Sequence, residues 1–219
     1  VLAAALRDQR EQLALHPGRA TAMDPITRLA LAAGLEALAD AGLPLIVDPS
    51  GTLGRAMPLS LRATTGVIFA SGLPGLVRVL MSRGERSAPS LMALALMDAH
   101  AAVADILGIT GPAMAVNAGA ASAAVALATA SDWIRLGRAE RVLVVAADDL
   151  ADDVLLGSFG RGLLDEGRAL SMGATGFVLE TTSSAARRGA GVRARLSRAA
   201  MGAEGARCTS RTAAGSPTA

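Results

Sequence analysis

The sequence predicts an α/β fold, and three features of one continuous segment, residues 108–149, lead to that prediction. Met114–Asn117 can extend as a short strand, and the small residues at 118–121 favour a tight turn after it. Ala123–Leu136 then has the composition of a buried helix. Val142–Ala147 is an uninterrupted apolar run, which is typical of a strand buried on both faces of a parallel sheet.

The residues before this segment are predicted to supply two further helices and a strand. Asp24 and Pro25 form a strong helix start, because Asp can cap the first turn and Pro fits the first helical position. This helix is expected to end at Gly42. Arg62–Ala70 is predicted as the next strand and Ser87–Leu107 as a helix.

The residues after the helix at 123–136 continue the alternation. Gly137 is predicted to end that helix in the left-handed conformation that glycine adopts at low cost. Gly173–Glu180 and Gly191–Ser197 are predicted as further strands. From Ala199 onward there is little hydrophobic periodicity, so a disordered end is expected.

Composition limits the classes of function. A chain of 219 residues is long enough for one domain with a real core, or for half of a larger one. The net charge is only +2, and all 21 basic residues are Arg, which does not by itself indicate nucleic-acid binding. Residues 112–130 are apolar but contain Asn117 and an expected turn, so they predict a buried helix rather than a membrane span.

The cysteine and the two histidines are interpreted as incidental or structural. Cys208 lies in a polar tail, outside any strand–turn–helix context, so it is interpreted as an incidental surface thiol. A single cysteine excludes a disulfide within the chain and is compatible with the cytoplasm. His16 and His100 have no partner nucleophile that the sequence reveals, so a structural role is predicted for both.

Two groups of like charges follow the apolar segments. The acidic group is Asp148, Asp149, Asp152 and Asp153. Acids are favoured at the start of a helix and no histidine joins them, so we predict no metal site and no cofactor. The basic group is Arg187, Arg188, Arg193, Arg195 and Arg198. It is interpreted as a solvated tail, with binding of an acidic partner as the alternative.

Several segments match, in the same order, the motifs of one enzyme family. They are Met23–Leu29 with Glu36–Gly42, Thr65–Phe69, Asp132–Arg135 with Arg141–Asp149, and Gly173–Glu180. They resemble the MDPxxRL…EALxDAG helix, the TGVF strand, the DWIRxGRxxRVxVxxADD run and the GAAGxVLE strand of β-ketoacyl synthases. These are the condensing enzymes of fatty-acid and polyketide synthesis. The similarity is closest to polyketide and polyunsaturated-fatty-acid-type synthases, and it is specific as a set.

This resemblance implies the N-terminal half of the thiolase-like fold, a mixed five-stranded sheet with a buried central helix. We expect residues 23–182 to form the β-ketoacyl synthase N-terminal-like domain, with an N-terminal extension at 1–22 and a tail rich in Arg, Ala and Gly at 183–219. The family's first core strand is not found upstream of Met23, so we expect the fold to be incomplete and truncated at the N-terminus.

Residues 117–122, called the elbow below, fall at the family's nucleophile turn. The family pattern there is VNAACAS, or DTACSS in other branches, whereas this chain has VNAGAAS at 116–122. Ala120 therefore falls at the position of the acyl-accepting cysteine, and a methyl group cannot attack a thioester. The other residues assigned to the elbow and the neighbouring interface are Asn117, Ala118, Gly119, Ala121 and Ser122.

Three hypotheses for function follow from the resemblance. The family reaction is a decarboxylative Claisen condensation of acyl and malonyl thioesters, and the first hypothesis is a catalytically silent half of such an enzyme. The second is a non-catalytic partner, analogous to chain-length factors, that shapes the cavity of an active synthase. The third is a decarboxylating loading domain, which requires a histidine pair from another chain and usually carries Gln at the elbow.

The family also implies the partners. They are an acyl carrier protein or an acyl thioester, and a second ketosynthase-like chain in a homodimer or heterodimer. Neither nucleic acid nor a membrane is expected as a partner.

Overall fold

The computed structural model describes residues 25–47, 55–72, 99–148 and 173–197. The helices in these ranges are α1 (Pro25–Asp40), α2 (Leu59–Arg62), α3 (Ala99–Leu107), α4 (Ser122–Arg135) and α5 (Thr182–Arg187). The strands are β1 (Ile46–Val47), β2 (Arg55–Ala56), β3 (Thr65–Ala70), β4 (Ala113–Val116), β5 (Arg141–Asp148) and β6 (Gly173–Glu180). The predicted α/β fold is confirmed.

The main sheet is mixed and has the strand order β4-β3-β5-β6. Strand β3 pairs in parallel with both β4 and β5, whereas β5 pairs antiparallel with β6. The two-residue strands β1 and β2 form a separate antiparallel pair. The mixed character is therefore confirmed. The described ranges contribute four strands to this sheet, and the fifth stays a prediction.

Alternating side chains of the sheet enter two separate cores, because successive residues of a strand point to opposite faces. On one face, Val67 and Phe69 of β3 pack in a cluster with residues of α1 and α3. On the other face, Ile68 and Ala70 pack in a cluster with α4, including Trp133. Since all six residues of β3 are buried, helices cover this strand on both sides, as expected for a central parallel strand.

The segment around the elbow folds as its sequence predicts. Strand β4 and helix α4 each begin one residue earlier than predicted, and β5 extends the predicted strand by one residue at each end. Gly137 has a φ angle of +68°, so the left-handed glycine predicted after the helix at 123–136 is confirmed. Gly42, where the first helix was expected to end, also has a positive φ, of +65°. Strand β6 matches the predicted bounds.

The predicted strand over Arg62–Ala70 is wrong in its first residues. Arg62 is the last residue of α2, and the strand begins only at Thr65. The carbonyl of Arg62 accepts the N–H groups of Thr110 and Gly111, at 3.0 and 3.1 Å. The Arg62 Nε–H donates to the Met57 carbonyl at 2.8 Å. These bonds turn the chain into the sheet and keep Arg62 outside the strand ladder.

The strand predicted at Gly191–Ser197 is also wrong. Residues 191–197 adopt no strand in the structure, and all seven are exposed. The two large apolar side chains of this segment, Val192 and Leu196, are 51% and 49% exposed. Arg193 instead donates from Nη2 to Asp40 Oδ1 at 2.7 Å. This segment therefore forms a surface ion pair with the end of α1.

A second strand–helix corner joins β6 to α5. Thr181 adopts extended backbone angles, and its Oγ1 accepts the Ser184 N–H at 3.1 Å, which caps the helix. The preceding residue, Glu180, accepts hydrogen bonds from the Arg188 guanidinium, with Nε at 3.0 Å from Oε1. Arg188 also donates to the Ala41 carbonyl. This corner is therefore tied to the end of α1 through one arginine.

Several predictions concern residues outside the described ranges. They are the 1–22 extension with His16, the first part of the predicted helix at 87–98, Asp149, Asp152 and Asp153, Arg198, and the tail from Ala199 with Cys208. Within the described ranges, no helix is long and apolar enough to cross a membrane. The same ranges hold no group of three side chains able to bind a metal ion.

Candidate functional site

The elbow is a tight corner between β4 and α4, as predicted. The N–H of Ala121 donates to the Ala118 carbonyl, and the N–H of Ser122 donates to the Gly119 carbonyl, each at 3.1 Å. Gly119 has a φ of +56°, in the left-handed region that glycine enters without a steric penalty. The side chain of Asn117 accepts the Gly119 N–H at 3.4 Å. The structure therefore brings all the predicted elbow residues together in one turn.

The side chains of the elbow differ sharply in exposure. Residues 117–121 are exposed, whereas Ser122 is only 4% exposed. Ala120 presents a methyl group at this exposed corner, two residues before α4 begins. A methyl group has no lone pair and no acidic proton, so it can neither attack a carbonyl carbon nor hold an acyl group.

Helix α4 begins without the usual cap. Ala121, at the N-cap position, has no side chain that accepts a hydrogen bond, and the first turn carries no acidic residue. The elbow sequence itself has no charged residue. The positive end of the α4 dipole therefore faces the corner without a protein carboxylate from the elbow or the first turn to neutralise it, which favours negative charge there.

The hydroxyl of Ser122 braces the elbow from inside the helix. Its oxygen accepts the Ala118 N–H at 2.9 Å. Its single hydrogen lies within reach of two carbonyl oxygens, that of Gly119 at 2.6 Å and that of Ser71 at 2.9 Å. This hydroxyl therefore connects both sides of the turn to each other and to the end of β3.

The residues that follow β3 are held in turn by the last residue of β5. The Ser71 hydroxyl donates to Asp148 Oδ1 at 2.7 Å, and the Gly72 N–H donates to the same oxygen at 2.8 Å. A Cβ on Gly72 would lie 3.4 Å from both Asp148 Oδ2 and the Gly119 carbonyl oxygen. Gly72 is thus packed between Asp148 and the elbow.

This role of Ser71 and Asp148 was not predicted from the sequence. Asp148 was assigned only to a group of four acids at a predicted helix start, and Ser71 had no predicted role. The missed signal was topological, because the carboxyl ends of parallel strands meet at one edge of a sheet. Since β4, β3 and β5 are parallel neighbours, the residues that follow each of them come together.

The described residues also include a histidine and an open groove. His100 is half-buried in α3, and its predicted structural role stays a prediction. An open groove of about 880 Å³ runs beside β6 and is lined by residues of α1, α4, β6 and the segment 181–197. No residue of the elbow lines this groove, nor does Ser71, Gly72 or Asp148.

Comparison with known proteins identifies the domain type. Residues 8–180 match the family model described as "Beta-ketoacyl synthase, N-terminal domain". This match begins upstream of Met23, where the sequence motifs begin, and it ends at the last residue of β6.

The relatives in sequence are large polyketide synthases. The phenolphthiocerol synthesis polyketide synthase type I Pks15/1 of Mycobacterium marinum is 31% identical over 210 residues, which make up 88% of this chain and 9% of that protein. The mycoketide-CoA synthase of Mycobacterium tuberculosis is 32% identical over 206 residues, 87% of this chain and 5% of that protein. The chain therefore spans less than a tenth of the length of these curated relatives.

Solved structures share the fold. The ishigamide ketosynthase/chain length factor is similar over 79% of this chain and 48% of the matched chain, with a TM-score of 0.52 and 23% identity. The ketosynthase of Xenorhabdus doucetiae in complex with its chain length factor matches 76% of this chain and 61% of the matched chain, with a TM-score of 0.52 and 17% identity. At these identities the likeness concerns the fold, and the incomplete coverage is consistent with an N-terminal half. On the match over residues 8–180, this chain belongs to the β-ketoacyl synthase family and carries its N-terminal domain.

Proposed function

We propose that this chain is a ketosynthase-like domain whose elbow is catalytically silent. One observation carries the proposal: the corner is built as a strand–turn–helix elbow, and the side chain it presents at position 120 is a methyl group. In the family reaction a cysteine sulfur attacks the acyl thioester carbonyl and the carrier thiol leaves, so that the acyl group becomes covalently bound to the enzyme. Ala120 has no atom that can take this part.

The direct test is acyl transfer to the elbow. The full chain, with Cys208 replaced by Ser, is incubated with an acyl thioester, and the peptide covering residues 116–122 is analysed by mass spectrometry. We expect no adduct on this chain and an adduct of one acyl group after Ala120→Cys. An adduct on residues 116–122 without the substitution would show that the elbow is not silent.

A second candidate function is that of a non-catalytic partner of an active synthase. Strand β4 supports it, because within the described residues β4 pairs with β3 alone and leaves its other edge without a strand. An unpaired edge is a template for pairing with a second chain. Two structures that share the fold are a ketosynthase/chain length factor and a ketosynthase in complex with its chain length factor, which supports a ketosynthase-like partner, either a second copy or an active relative.

Sedimentation velocity tests this partnership. The chain is measured alone and with a cysteine-bearing ketosynthase, and we expect a dimer in at least one of the two samples. Ala113→Arg places a charge at the exposed start of β4 and is expected to weaken the dimer. Ala174→Arg, an exposed alanine on β6 at the other edge of the sheet, is the matched control. Monomers in both samples would remove the partner function.

An acyl carrier protein is the proposed donor of the acyl group, by family resemblance. Arg187 and Arg195 are exposed and offer positive charge to an acidic surface. We expect the double substitution of both by Ala to weaken carrier binding in a low-salt titration, whereas Arg138→Ala, an exposed control elsewhere, leaves it unchanged. If the native chain, the double variant and Arg138→Ala bind the carrier protein equally well, Arg187 and Arg195 do not form its binding surface.

The proposed location is the cytoplasm, with which a single cysteine is compatible. Cell fractionation tests it. Recovery of the protein outside the cytoplasmic fraction would contradict this location.

A further inference from the structure

The elbow is an exposed turn of small residues that needs support from elsewhere in the fold. Residues 117–121 are exposed, and α4 starts without a side-chain cap from Ala121. Gly119 holds a left-handed conformation, which is one of many open to glycine in a flexible chain. The backbone bonds within the turn join residues that are only three positions apart. Contacts to distant, rigid residues are therefore what fixes the direction in which position 120 points.

The first such contact is made by Ser122. Its hydroxyl touches Ala118, Gly119 and the carbonyl of Ser71, which is 51 positions earlier in the chain. Ser122 and Ser71 are 4% and 1% exposed, so water does not compete effectively for these groups. The position of the Ser71 carbonyl therefore determines where Ser122 holds the turn.

The second contact fixes the Ser71 carbonyl itself. Asp148 Oδ1 accepts both the Ser71 hydroxyl and the Gly72 N–H, which lie on either side of that carbonyl along the chain. Hydrogen bonds that a carboxylate accepts are among the stronger ones in proteins. Asp148 is also the last residue of β5 and is paired with Gly173 of β6, so its backbone belongs to the rigid sheet.

We infer that Asp148 is a positioning residue for the elbow, acting through Ser71 and Gly72 on Ser122 and so on the backbone at position 120. The inference rests on the proposed function in one respect only, because it concerns the same elbow. It concerns the shape of the turn and not whether an acyl group is ever transferred there. The two are therefore tested by different measurements.

An introduced thiol serves as the reporter. In the full chain carrying Cys208→Ser and Ala120→Cys, the sole cysteine lies at the elbow, and its alkylation by iodoacetamide is timed at neutral pH. A thiol held at the start of α4 gains thiolate character from the helix, whereas a thiol on a loosened turn does not. The rate therefore reports how the elbow is held, without any acyl donor.

The expected results form a pattern. Asp148→Ala slows alkylation by about threefold to tenfold, the loss expected when a thiol pKa rises by up to about one unit. Asp148→Asn keeps an oxygen that accepts the same two hydrogen bonds, and it restores the rate to within about twofold. Ser122→Ala slows the reaction to a similar extent. Adding Asp148→Ala to Ser122→Ala slows it no further, because both act along one chain of contacts. Asp132→Asn, in an exposed pair with Arg135, leaves the rate unchanged.

Circular dichroism checks that each variant is folded. If Asp148→Ala does not fold, Ser71→Ala takes its place, since it removes one of the two bonds and keeps the Gly72 contact. The same non-additivity with Ser122→Ala is then required. Three results would each overturn the inference. The first is a double variant whose rate loss is the product of the two single losses. The others are an unchanged rate in a folded Asp148→Ala protein and a rate that Asp148→Asn does not restore. Failure of Ala120→Cys to take an acyl group would count against the proposed function alone.

Discussion

Within the described residues, strands β4 and β6 each lead into a helix, and the two corners hold their helices by different means. Where β6 meets α5, Thr181 lies at the surface and its own side chain caps the helix by accepting the Ser184 N–H. Where β4 meets α4, the residue in the equivalent place is Ala121, which has no capping group. The brace at the elbow comes instead from Ser122, a buried residue inside the helix.

Because of this difference, the residues that hold the elbow in shape are not the residue at position 120. At the β6–α5 corner the exposed side chain has a structural task, so its replacement affects the fold. At the elbow the backbone of Gly119 and the buried hydroxyl of Ser122 hold the turn, whereas the methyl group at position 120 has no hydrogen-bonding atom. A nucleophile or a methyl group at position 120 is compatible with the same turn, which agrees with the proposal that this chain keeps the elbow without a nucleophilic cysteine.

The largest expected effect concerns the charged group of the β6–α5 corner. Burial alone raises the pKa of Glu180, but hydrogen bonds from Arg188 and Ser184, with the charges of Arg188 and Arg141, outweigh it and lower the pKa below that of an ordinary glutamate. Because the folded pKa is the lower one, this contribution is present above the unfolded pKa and is lost as the pH falls through the folded pKa. Glu180→Gln should lower the free energy of unfolding by about 1.5–3 kcal/mol at neutral pH, as expected for the loss of hydrogen bonds to a charged group.

Urea unfolding at neutral pH and in acid measures this effect. The native chain should lose stability on acidification, and Glu180→Gln should lose less. Ala120 and its neighbours carry no titratable group, so variants of the elbow should show the acid loss of the native chain. An acid loss in Glu180→Gln as large as that of the native chain would assign the pH dependence to other residues.

Ser122→Ala is expected to have the next largest effect on stability. It removes the acceptor of the Ala118 N–H and the donor to two carbonyls, and leaving such groups without a partner costs about 1–3 kcal/mol. The free energy of unfolding in urea checks this value. Ser131→Ala, a half-exposed serine in the same helix, is the control and should cost less. Equal costs would mean that Ser122 is no more important than an ordinary helix serine.

The elbow region illustrates what the sequence could and could not predict. Periodicity and turn chemistry placed β4, the turn, α4 and β5 to within about a residue, because local preferences and burial agree along this segment. The Ser71–Asp148 bond joins residues 77 positions apart and depends on which strands are neighbours, which periodicity does not specify. The strand expected at 191–197 is absent, and the structure buries none of its apolar residues.

Thr181→Ala should have a smaller effect, of about 1 kcal/mol, which is the usual cost of losing a side-chain cap. The change removes the acceptor of the Ser184 N–H at the start of α5. Thr181→Ser keeps that oxygen and should stay close to the native stability. Thermal and urea unfolding of both variants measure the difference. If Ser and Ala were equally damaging, the lost methyl group rather than the cap would be responsible, and the contrast between the corners would weaken.

The smallest effect is expected at position 120. Ala120→Cys should change the free energy of unfolding by less than about 0.5 kcal/mol, as for most exposed substitutions, because Ala120 is exposed. Ala126→Cys is the matched control, because Ala126 is fully buried in the same helix and overpacking there costs about 1 kcal/mol or more. Urea unfolding of both variants in the Cys208→Ser chain makes the comparison. If Ala120→Cys is as damaging as Ala126→Cys, the elbow has adapted to its methyl group. If it is neutral, the backbone of the elbow accepts a thiol at position 120 as readily as a methyl group.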